Sequence, residues 1–359
     1  MAIRSVFTGS GSFIPAQQVT NAHFADRSFF LDYDQPLDPA DNSRVLQKIT
    51  EITDIAERRY ASKDHVASDL GFQAAVQAIA DAGVDPETLD YIIVAHNFGD
   101  VRADSGQLDT VPTLAARIKQ RLEIRNPSCV AYDLPFGCPG WLQAVIQADY
   151  YLRSGDAHRI LVVGSETLSR VCDPSDRDSM IYADGAGAAV MEAIVTDEAI
   201  GILSHVSRSD TLEHAQLLRM APSFDGSVEE DRLFLKMEGR KLYEYAVKTV
   251  PVVVREALEK AGLTLTDVDK VLFHQANAKL DESILKRLFR LYGVSCIPDH
   301  IMPLTVSWLG NSSVATLPTL FDLIQRDELE HQSINAGDLL VFASVGAGMN
   351  ANAVIYRAR

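Results

Sequence analysis

The pattern of hydrophobic and polar residues predicts the same helix–turn–strand unit at two places in the chain. Residues 78–94 run from an apolar helix through a glycine and a polar turn into a continuous apolar strand, and residues 257–273 have the same order. A helix that ends at glycine and leads into a short apolar run is typical of an α/β fold. The second unit begins 179 residues after the first.

Two further matches indicate that the chain is internally duplicated. One pair of segments forms similar apolar strands, again 179 residues apart, and the other pair precedes an apolar helix in each half. The matches are residues 161–165 with 340–344 and residues 136–138 with 309–311. Chance explains a single match, whereas ordered similarity at a fixed offset indicates repeated architecture. We therefore expect two related α/β halves, residues 1–196 and 197–359.

Cys138 is the strongest candidate for reaction chemistry. The segment around it predicts a buried strand from Val130, a glycine-bounded turn, and an apolar helix over 141–151 with the thiol on its first turn. A helix N-terminus offers unpaired N–H groups and the positive end of the helix dipole, which favour the reactive thiolate. The alternative is a buried structural cysteine, because free cysteine is among the most buried residue types.

His274 and Asn311 are the expected partners of Cys138. Equivalent positions of two related halves meet about a pseudo-twofold axis, so Cys138 and Asn311, which both precede an apolar helix, should face each other. His274 ends the predicted strand 271–274, and α/β sheets place reactive groups at such strand ends. A lone histidine there is more often structural. With a thiol and an amide it completes a nucleophile, a proton-handling imidazole and a hydrogen-bond donor.

Composition and charge exclude several classes of function. The chain has 359 residues, 47% hydrophobic and 23% charged, which is typical of a globular protein. Its formal net charge of −16 disfavours nucleic acid and anionic membrane surfaces as partners. No apolar run approaches the roughly 18 residues of a membrane helix. The four cysteines show no Cys-x-x-Cys and no metal-type spacing to histidine, so we expect a reduced, cytoplasmic, metal-free protein.

Five ordered motifs resemble those of the β-ketoacyl-acyl-carrier-protein synthase III family, and the similarity runs from about residue 8 to residue 356. The motifs are FGCPG at 136–140, RVCDPSDR at 170–177, IYADGAGAAV at 181–190, HQAN at 274–277 and GNSSVAT at 310–316. The resemblance implies a five-layered αβαβα thiolase-like fold. It also implies a condensing acyltransferase that needs no cofactor, uses acyl-CoA or acyl-carrier-protein thioesters, and works as a cytoplasmic homodimer.

The resemblance also implies a role for each candidate catalytic residue. Cys138 would carry the acyl group, while His274 and Asn311 would hold the carbonyl of the second thioester as an enolate forms. The SVGAG turn at 344–348 is similar to the glycine loop of the family, so the backbone N–H groups of Gly348 and Cys138 would form the oxyanion hole. A donor in such a hole is typically worth about 2.7–4 kcal/mol of transition-state stabilisation.

The same motifs imply contacts with CoA and with a carrier protein. Arg177 matches an arginine that clamps the CoA adenine in the family, and Asn277 belongs to the HQAN motif, which we assign to substrate binding. Lys279, Lys286 and Arg287 lie at i, i+7 and i+8 of the next helix and form one basic stripe. Matching positions in the family dock the acidic carrier protein, and local positive charge would steer such a partner. The alternative is an ordinary solvent-facing helix surface.

Departures from the family pattern bear on the substrate. Phe136 and Trp141 replace small residues near the nucleophile, so both should shape the pocket wall. The connectors 29–42 and 96–106 are longer than expected, and extra loops near a site serve either as padding or as pocket lining. The segment around the nucleophile and the HNFGD motif at 96–100 look like the branch that makes dialkylresorcinol precursors.

That branch implies a defined reaction. Its members join a β-ketoacyl thioester to an α,β-unsaturated acyl thioester by Claisen condensation and Michael addition, which gives a cyclohexanedione. The first alternative is a β-ketoacyl synthase III that initiates fatty-acid synthesis from an acyl-CoA and a malonyl carrier protein. The second is a non-catalytic partner subunit of a heterodimeric synthase, although such subunits characteristically lack the nucleophile.

Overall fold

The computed structural model describes residues 1–228 and 232–359, in which strands and helices alternate as the sequence predicts. The strands are β1 (Ala2–Phe13), β2 (Gln17–Thr20), β3 (Phe30–Asp32), β4 (Gln35–Pro36), β5 (Glu57–Tyr60), β6 (Tyr91–His96), β7 (Asp100–Val101), β8 (Leu108–Asp109), β9 (Val130–Pro135), β10 (Arg159–Thr167), β11 (Asp184–Thr196), β12 (Gly201–Ser209), β13 (Leu218–Ala221), β14 (Phe234–Met237), β15 (Lys270–Phe273), β16 (Leu339–Gly346) and β17 (Asn350–Arg357). The helices are α1 (Asn42–Thr53), α2 (Ala67–Ala82), α3 (Leu114–Arg121), α4 (Gly140–Ser154), α5 (Thr211–His214), α6 (Gly239–Lys260), α7 (Ala278–Leu291), α8 (Val306–Leu309) and α9 (Thr316–Gln325).

The two main sheets repeat one strand order, which confirms the predicted duplication. The first sheet has the order β1-β11-β10-β6-β9 and the second has the order β12-β17-β16-β15. In each sheet the first three strands pair antiparallel, and the next pair, β10 with β6 or β16 with β15, is parallel. The first sheet adds β9, parallel to β6, at its outer edge. The division at residue 196 stays a prediction, and it falls between β11 and β12.

Helices cover both faces of each sheet and produce the predicted five layers. Helices α2 and α3 pack on the outer face of the first sheet, α4 and α9 lie between the sheets, and α6 and α7 cover the second sheet. Nearly all residues of α9 are buried, as a helix enclosed between two sheets requires. The fold is therefore the αβαβα arrangement that the resemblance implied.

The turn before α9 packs unusually close to the first sheet. Gly164 on β10 makes this possible, because a Cβ at this position would lie 2.4 Å from the carbonyl oxygen of Val314. Only glycine leaves room for such backbone contact. The close approach brings Ser313 and its neighbours from the second half against residues of the first half.

The two central helices begin at one edge of the paired sheets. The turn that leads into α4 carries Cys138, and the turn that leads into α9 carries Asn311. Strand β15 ends at Phe273, directly before His274. The duplicated topology therefore gathers the three candidate residues from separate parts of the chain.

The two long connectors are anchored to the body of the protein. In the connector 29–42, β3 pairs with β4, and the backbone N–H of Phe30 donates to the carbonyl oxygen of Ser175 at 2.9 Å. In the connector 96–106, β7 begins a hairpin with β8. Residues 31–36 and 102–105 of these connectors are exposed, so a role in the pocket stays a prediction.

Candidate active site

Cys138 lies in the turn between β9 and α4. Gly137 precedes it with a φ of +74°, and this left-handed conformation lets the chain turn sharply beside the backbone of Ala347. Helix α4 begins at Gly140, so the thiol lies two residues before the helix and not on its first turn. The prediction placed the strand, the turn and the helix, but α4 begins one residue before the predicted start at Trp141. Strand β9 was predicted as buried and is only half-buried, because it is the outer strand of its sheet.

The surroundings of Cys138 favour the protonated thiol. Burial raises its pKa to about 11, the negative charge of Glu166 adds to this rise, and a hydrogen bond from Ser313 opposes it. Oγ of Ser313 donates to Sγ of Cys138 at 3.2 Å. Burial of the sulfur therefore opposes the thiolate that a position just before a helix favours, although Cys138 as a whole is half-buried.

His274 is a neutral imidazole held in one orientation. Its backbone N–H donates to the carbonyl of Ala343 at 2.9 Å, and Nδ1 lies 2.6 Å from Oγ1 of Thr316. That hydroxyl donates to the carbonyl of Ser313, which can only accept, so Nδ1 must be the donor to Thr316. Burial lowers the pKa of His274 to about 4. Nε2 therefore carries a free lone pair.

Asn311 has its side-chain amide fixed by one backbone contact. The N–H of Ser313 donates to Oδ1 of Asn311 at 2.8 Å, which leaves the Nδ2 hydrogens for another partner. The backbone of Asn311 pairs with Ile181 and Ala183 of the first half at 2.9 and 2.8 Å. The amide is thus a buried donor on a rigid support.

Ser313 connects the three candidate residues. Its hydroxyl contacts Cys138, its N–H contacts Asn311, and its carbonyl accepts from Thr316, the partner of His274. Its φ of +53° is uncommon for a residue other than glycine and indicates that these contacts hold the turn. Sequence reasoning did not single out Ser313 or Thr316, although both lie in the GNSSVAT motif.

The glycine whose backbone approaches the nucleophile is Gly346 and not Gly348. A Cβ on Gly346 would lie 2.7 Å from the backbone N and 2.9 Å from the Cβ of Cys138, so only glycine fits. A Cβ on Gly348 would meet Asn350 instead. Both glycines belong to the SVGAG turn, and the turn geometry decides between them. Gly346 thus packs against the nucleophile, while the oxyanion role of the N–H groups of Cys138 and Gly348 stays a prediction.

The structure corrects the prediction for Trp141 and leaves that for Phe136 open. Trp141 is 1% exposed and belongs to the central core, where its ring stacks on Phe7 with 6.0 Å between ring centroids. Its position on the inward face of α4 turns the indole into the core, so it supports the helix and does not form a pocket wall. Phe136 is half-buried in the turn before Cys138, and its role in the pocket stays a prediction.

Asn277 and Arg177 begin local helical segments. Asn277 is the N-cap of α7, and its Oδ1 accepts from the N–H of Leu280 at 2.9 Å. Arg177 begins a 3₁₀ turn that ends at Ile181 and is partly exposed. Asn277 thus has a structural task besides its predicted contact with substrate, and the CoA contact of Arg177 stays a prediction.

The basic stripe lies on the exposed face of α7. Lys279, Lys286 and Arg287 are all exposed, while the opposite face of the helix is buried in the outer core of the second half. Lys286 pairs with Glu282 at 3.0 Å, which reduces the net positive charge of the stripe. The helix begins four residues after His274, so the stripe starts beside the candidate site.

Two classes of feature are missing from residues 1–228 and 232–359. No cluster of three or more histidine, cysteine, aspartate or glutamate side chains there could hold a metal ion. No helix within those ranges is long and apolar enough to cross a membrane.

Family models match both halves of the chain. The model described as 3-oxoacyl-[acyl-carrier-protein (ACP)] synthase III matches residues 132–211, and the model of the C-terminal part of that enzyme matches residues 258–358. The first stretch contains Cys138, and the second contains His274 and Asn311. The β-ketoacyl-[acyl-carrier-protein] synthase III of Erythrobacter litoralis is 34% identical over 358 residues, which cover 99% of each chain.

Solved structures agree with these matches. The 3-oxoacyl-[acyl-carrier-protein] synthase III of Aquifex aeolicus has a TM-score of 0.78 at 27% identity, covering 98% of this chain and 99% of that one. The priming β-ketosynthase from the R1128 polyketide biosynthetic pathway has a TM-score of 0.80 at 27% identity, covering 100% and 98% of the two chains. The similarity therefore extends over the whole architecture.

Proposed function

The chain belongs to the β-ketoacyl-[acyl-carrier-protein] synthase III family of condensing acyltransferases, and on this premise we propose that it joins two acyl thioesters through an acyl group carried on Cys138. The observation that carries the proposal is the set of hydrogen bonds by which Ser313 connects Cys138, Asn311 and, through Thr316, His274. An intact nucleophile with both partners disfavours a non-catalytic subunit.

The first step transfers the acyl group to Cys138. The sulfur attacks the thioester carbonyl, the new S–C bond forms, and the bond to the CoA or carrier sulfur breaks. The thiol proton passes to the departing sulfur, which leaves as a neutral thiol. The N–H group of Cys138 and one from the glycine turn 344–348, for which Gly348 is the predicted donor, stabilise the oxyanion of the tetrahedral intermediate.

The second step forms the carbon–carbon bond. Nδ2 of Asn311 donates to the carbonyl oxygen of the second thioester as that thioester becomes an enolate. The enolate arises when a malonyl thioester loses CO₂, or when an α-proton passes to Nε2 of His274. The enolate carbon then attacks the acyl carbon, the S–C bond to Cys138 breaks, and the sulfur leaves as a thiolate.

Two substrate pairs fit this scheme, and different observations support each. Initiation of fatty-acid synthesis from an acyl-CoA and a malonyl carrier protein is supported by relatives named β-ketoacyl-[acyl-carrier-protein] synthase III. Cyclohexanedione formation is supported by the free lone pair on Nε2 of His274, because an α-proton must be removed when no CO₂ is lost. The named relatives therefore favour initiation of fatty-acid synthesis over cyclohexanedione formation.

A substrate panel distinguishes the two reactions. An initiating synthase should convert acetyl-CoA or a short branched acyl-CoA with malonyl carrier protein to a β-ketoacyl carrier. A cyclohexanedione-forming enzyme should react poorly with that pair and should yield a cyclised product from a β-ketoacyl and a 2-enoyl thioester. Both reactions require the acyl carbon and the enolate carbon to approach within about 3–3.5 Å, so the shape of the pocket selects the pair that reacts. Mass spectrometry of the products shows which pair that is. Absence of any carbon–carbon bond formation across the panel would contradict both.

Reversing the charge of the basic stripe should impair reaction with carrier-bound substrate. We expect the triple variant Lys279→Glu, Lys286→Glu and Arg287→Glu to raise KM for the acyl carrier protein and to weaken its salt dependence, because rim charges act mainly on encounter. Small thioesters without a carrier should react as before.

The matched control reverses three exposed basic residues outside α7, namely Lys63, Arg240 and Arg359. It changes the net charge equally and should leave KM for the carrier protein almost unchanged. Equal impairment by both triple variants, or equal loss with small thioesters, would refute a docking role for the stripe.

We also propose a homodimer formed through β9. This strand is the outer strand of the first sheet, and Val130 at its start is 47% exposed. In the described part of the chain, no second strand pairs with its outer edge, and β9 of another copy can do so about a twofold axis. Light scattering should give twice the mass of one chain. A monomer mass at micromolar concentration would contradict the proposal.

A further inference from the structure

A chain of hydrogen bonds runs from a buried carboxylate to the sulfur of Cys138. Oε2 of Glu166 accepts from the backbone N–H of Asn97 at 2.8 Å and from Nδ2 of Asn97 at 2.5 Å. The same Nδ2 donates to Oγ of Ser313 at 3.0 Å, and this hydroxyl donates to Sγ of Cys138 at 3.2 Å. Glu166 is 0% and Ser313 is 2% exposed, while Asn97 and Cys138 are half-buried.

The direction of each bond in the chain is set by chemistry. An amide nitrogen can only donate, so one hydrogen of Nδ2 of Asn97 goes to Glu166 and the other to Ser313. The Ser313 oxygen therefore already accepts a bond, and its own hydrogen is left for the sulfur. An amide does not pass protons along, so this chain fixes a donor and is not a proton relay.

We propose that Ser313 is a further catalytic residue that donates its hydroxyl hydrogen to the Cys138 sulfur whenever the sulfur is negative, and that Asn97 and Glu166 are positioning residues that aim this hydroxyl. The sulfur is negative when it attacks the thioester and again when it leaves the acyl group. The proposal rests on the proposed function of Cys138 as nucleophile. It assigns a task to the HNFGD motif, which the triad alone does not explain.

The surroundings of Asn97 support a positioning role. His96 is held between Asp133, at 3.0 Å from Nε2, and the backbone N–H of Gly99, at 3.0 Å from Nδ1. Asp100 accepts from the N–H of Ser68 at 2.7 Å. His96 and Asp100, which flank the segment, are thus anchored to the body of the protein, and this restricts the backbone of Asn97.

The surroundings of Glu166 allow a substitution that removes its negative charge and keeps its hydrogen bonds to Asn97. His96 and Asp184 are the titratable groups whose charges act on Glu166, with opposite effects, and burial raises the pKa of Glu166 to about 7. Its Oε1 has no hydrogen-bond partner among the described residues. Glutamine at this position would keep an acceptor for Asn97 and place its amide nitrogen where Oε1 lies, while it removes the negative charge that raises the pKa of Cys138.

The test measures the reactivity of each cysteine toward a small neutral disulfide, by mass spectrometry of the modified peptides. Loss of the Ser313 hydroxyl in Ser313→Ala removes a hydrogen bond that lowers the pKa of Cys138, so the thiolate fraction below that pKa should fall about tenfold. The remaining thiolate is more nucleophilic, with a Brønsted coefficient of about 0.4–0.5, so the rate should fall about threefold to fourfold. Asn97→Ala should have an effect in the same direction.

The chain provides its own controls for this measurement. Cys296 is exposed and should react at the same rate in every variant, while Cys129 is buried and becomes reactive only if the variant unfolds. Ser312→Ala removes a hydroxyl from the same turn without a described bond to the sulfur, so its Cys138 should react as in the unmodified protein. No acyl substrate is used, and the result therefore does not depend on whether condensation occurs.

A double-mutant cycle separates positioning from an independent effect. The variant with both Ser313→Ala and Asn97→Ala should react no more slowly than Ser313→Ala alone, because Asn97 acts through the hydroxyl that is already lost. Glu166→Gln should react at least as fast as the unmodified protein. Additive losses, a loss in Glu166→Gln as large as that in Ser313→Ala, or an unchanged rate in a folded Ser313→Ala variant would overturn the proposal.

Discussion

Replacing Cys138 by alanine is expected to abolish acylation of the protein and all condensation with it. The substitution removes the atom that forms the S–C bond, and loss of a covalent nucleophile has lowered turnover on the order of a millionfold in another enzyme. Incubation with an activated acyl thioester should add one acyl mass to the peptide that contains Cys138 in the unmodified protein and none in the variant.

Cys296→Ala is the matched control for this experiment. Cys296 is also a free cysteine, but it is exposed and lies outside the site, so its loss should leave acylation unchanged. Undiminished acylation in Cys138→Ala, or acylation that disappears in Cys296→Ala, would remove the basis of the proposed mechanism.

His274→Ala and Asn311→Ala should still accept the acyl group and should lose carbon–carbon bond formation. Asn311 is proposed to donate to the second thioester where negative charge develops, and His274 to accept its α-proton. Removal of one such group typically costs about 10²- to 10³-fold in turnover. Acylation of Cys138 and product formation, followed separately by mass spectrometry, distinguish the two steps. Near-normal condensation by either variant, while it remains folded, would show that the assignment is wrong.

Thr316→Val tests the role of His274 in condensation without removing its imidazole. Valine resembles threonine in shape but removes the acceptor that holds Nδ1 of His274, so condensation should fall while acylation persists. Thr319→Val is the control, because Thr319 is equally buried in the same helix and bonds only to the backbone of Ala186. Equal effects of the two substitutions would indicate a packing defect and not a loss of orientation.

The sequence predicted the fold and the positions of the candidate site residues because both depend on patterns that repeat along the chain. The helix–turn–strand unit at 78–94 recurs at 257–273, and the structure accordingly has two sheets of one strand order. The same duplication predicted that Cys138 and Asn311 would face each other from the starts of two central helices. Such predictions need only the spacing between the repeated segments of the sequence.

The sequence pattern could not predict features of the site that depend on tertiary contacts. The SVGAG turn offers two glycines, and only the packing of the turn shows that Gly346 approaches Cys138. The pKa of the thiol follows from its burial, which the position before a helix does not reveal. Trp141 belongs to the core because α4 is enclosed between two sheets. A comparison of sequence motifs cannot supply these three facts.

A pulse–chase measurement tests the central claim most directly. The protein is first incubated with an acyl thioester that carries an isotopic label in the acyl group, freed of excess donor, and then mixed with the second thioester that the substrate panel identifies. The account predicts that the label leaves the Cys138 peptide at the rate at which labelled condensation product forms, in equal amounts. Unlabelled product that forms while the label stays on Cys138 would contradict the claim that this residue carries the acyl group through the reaction.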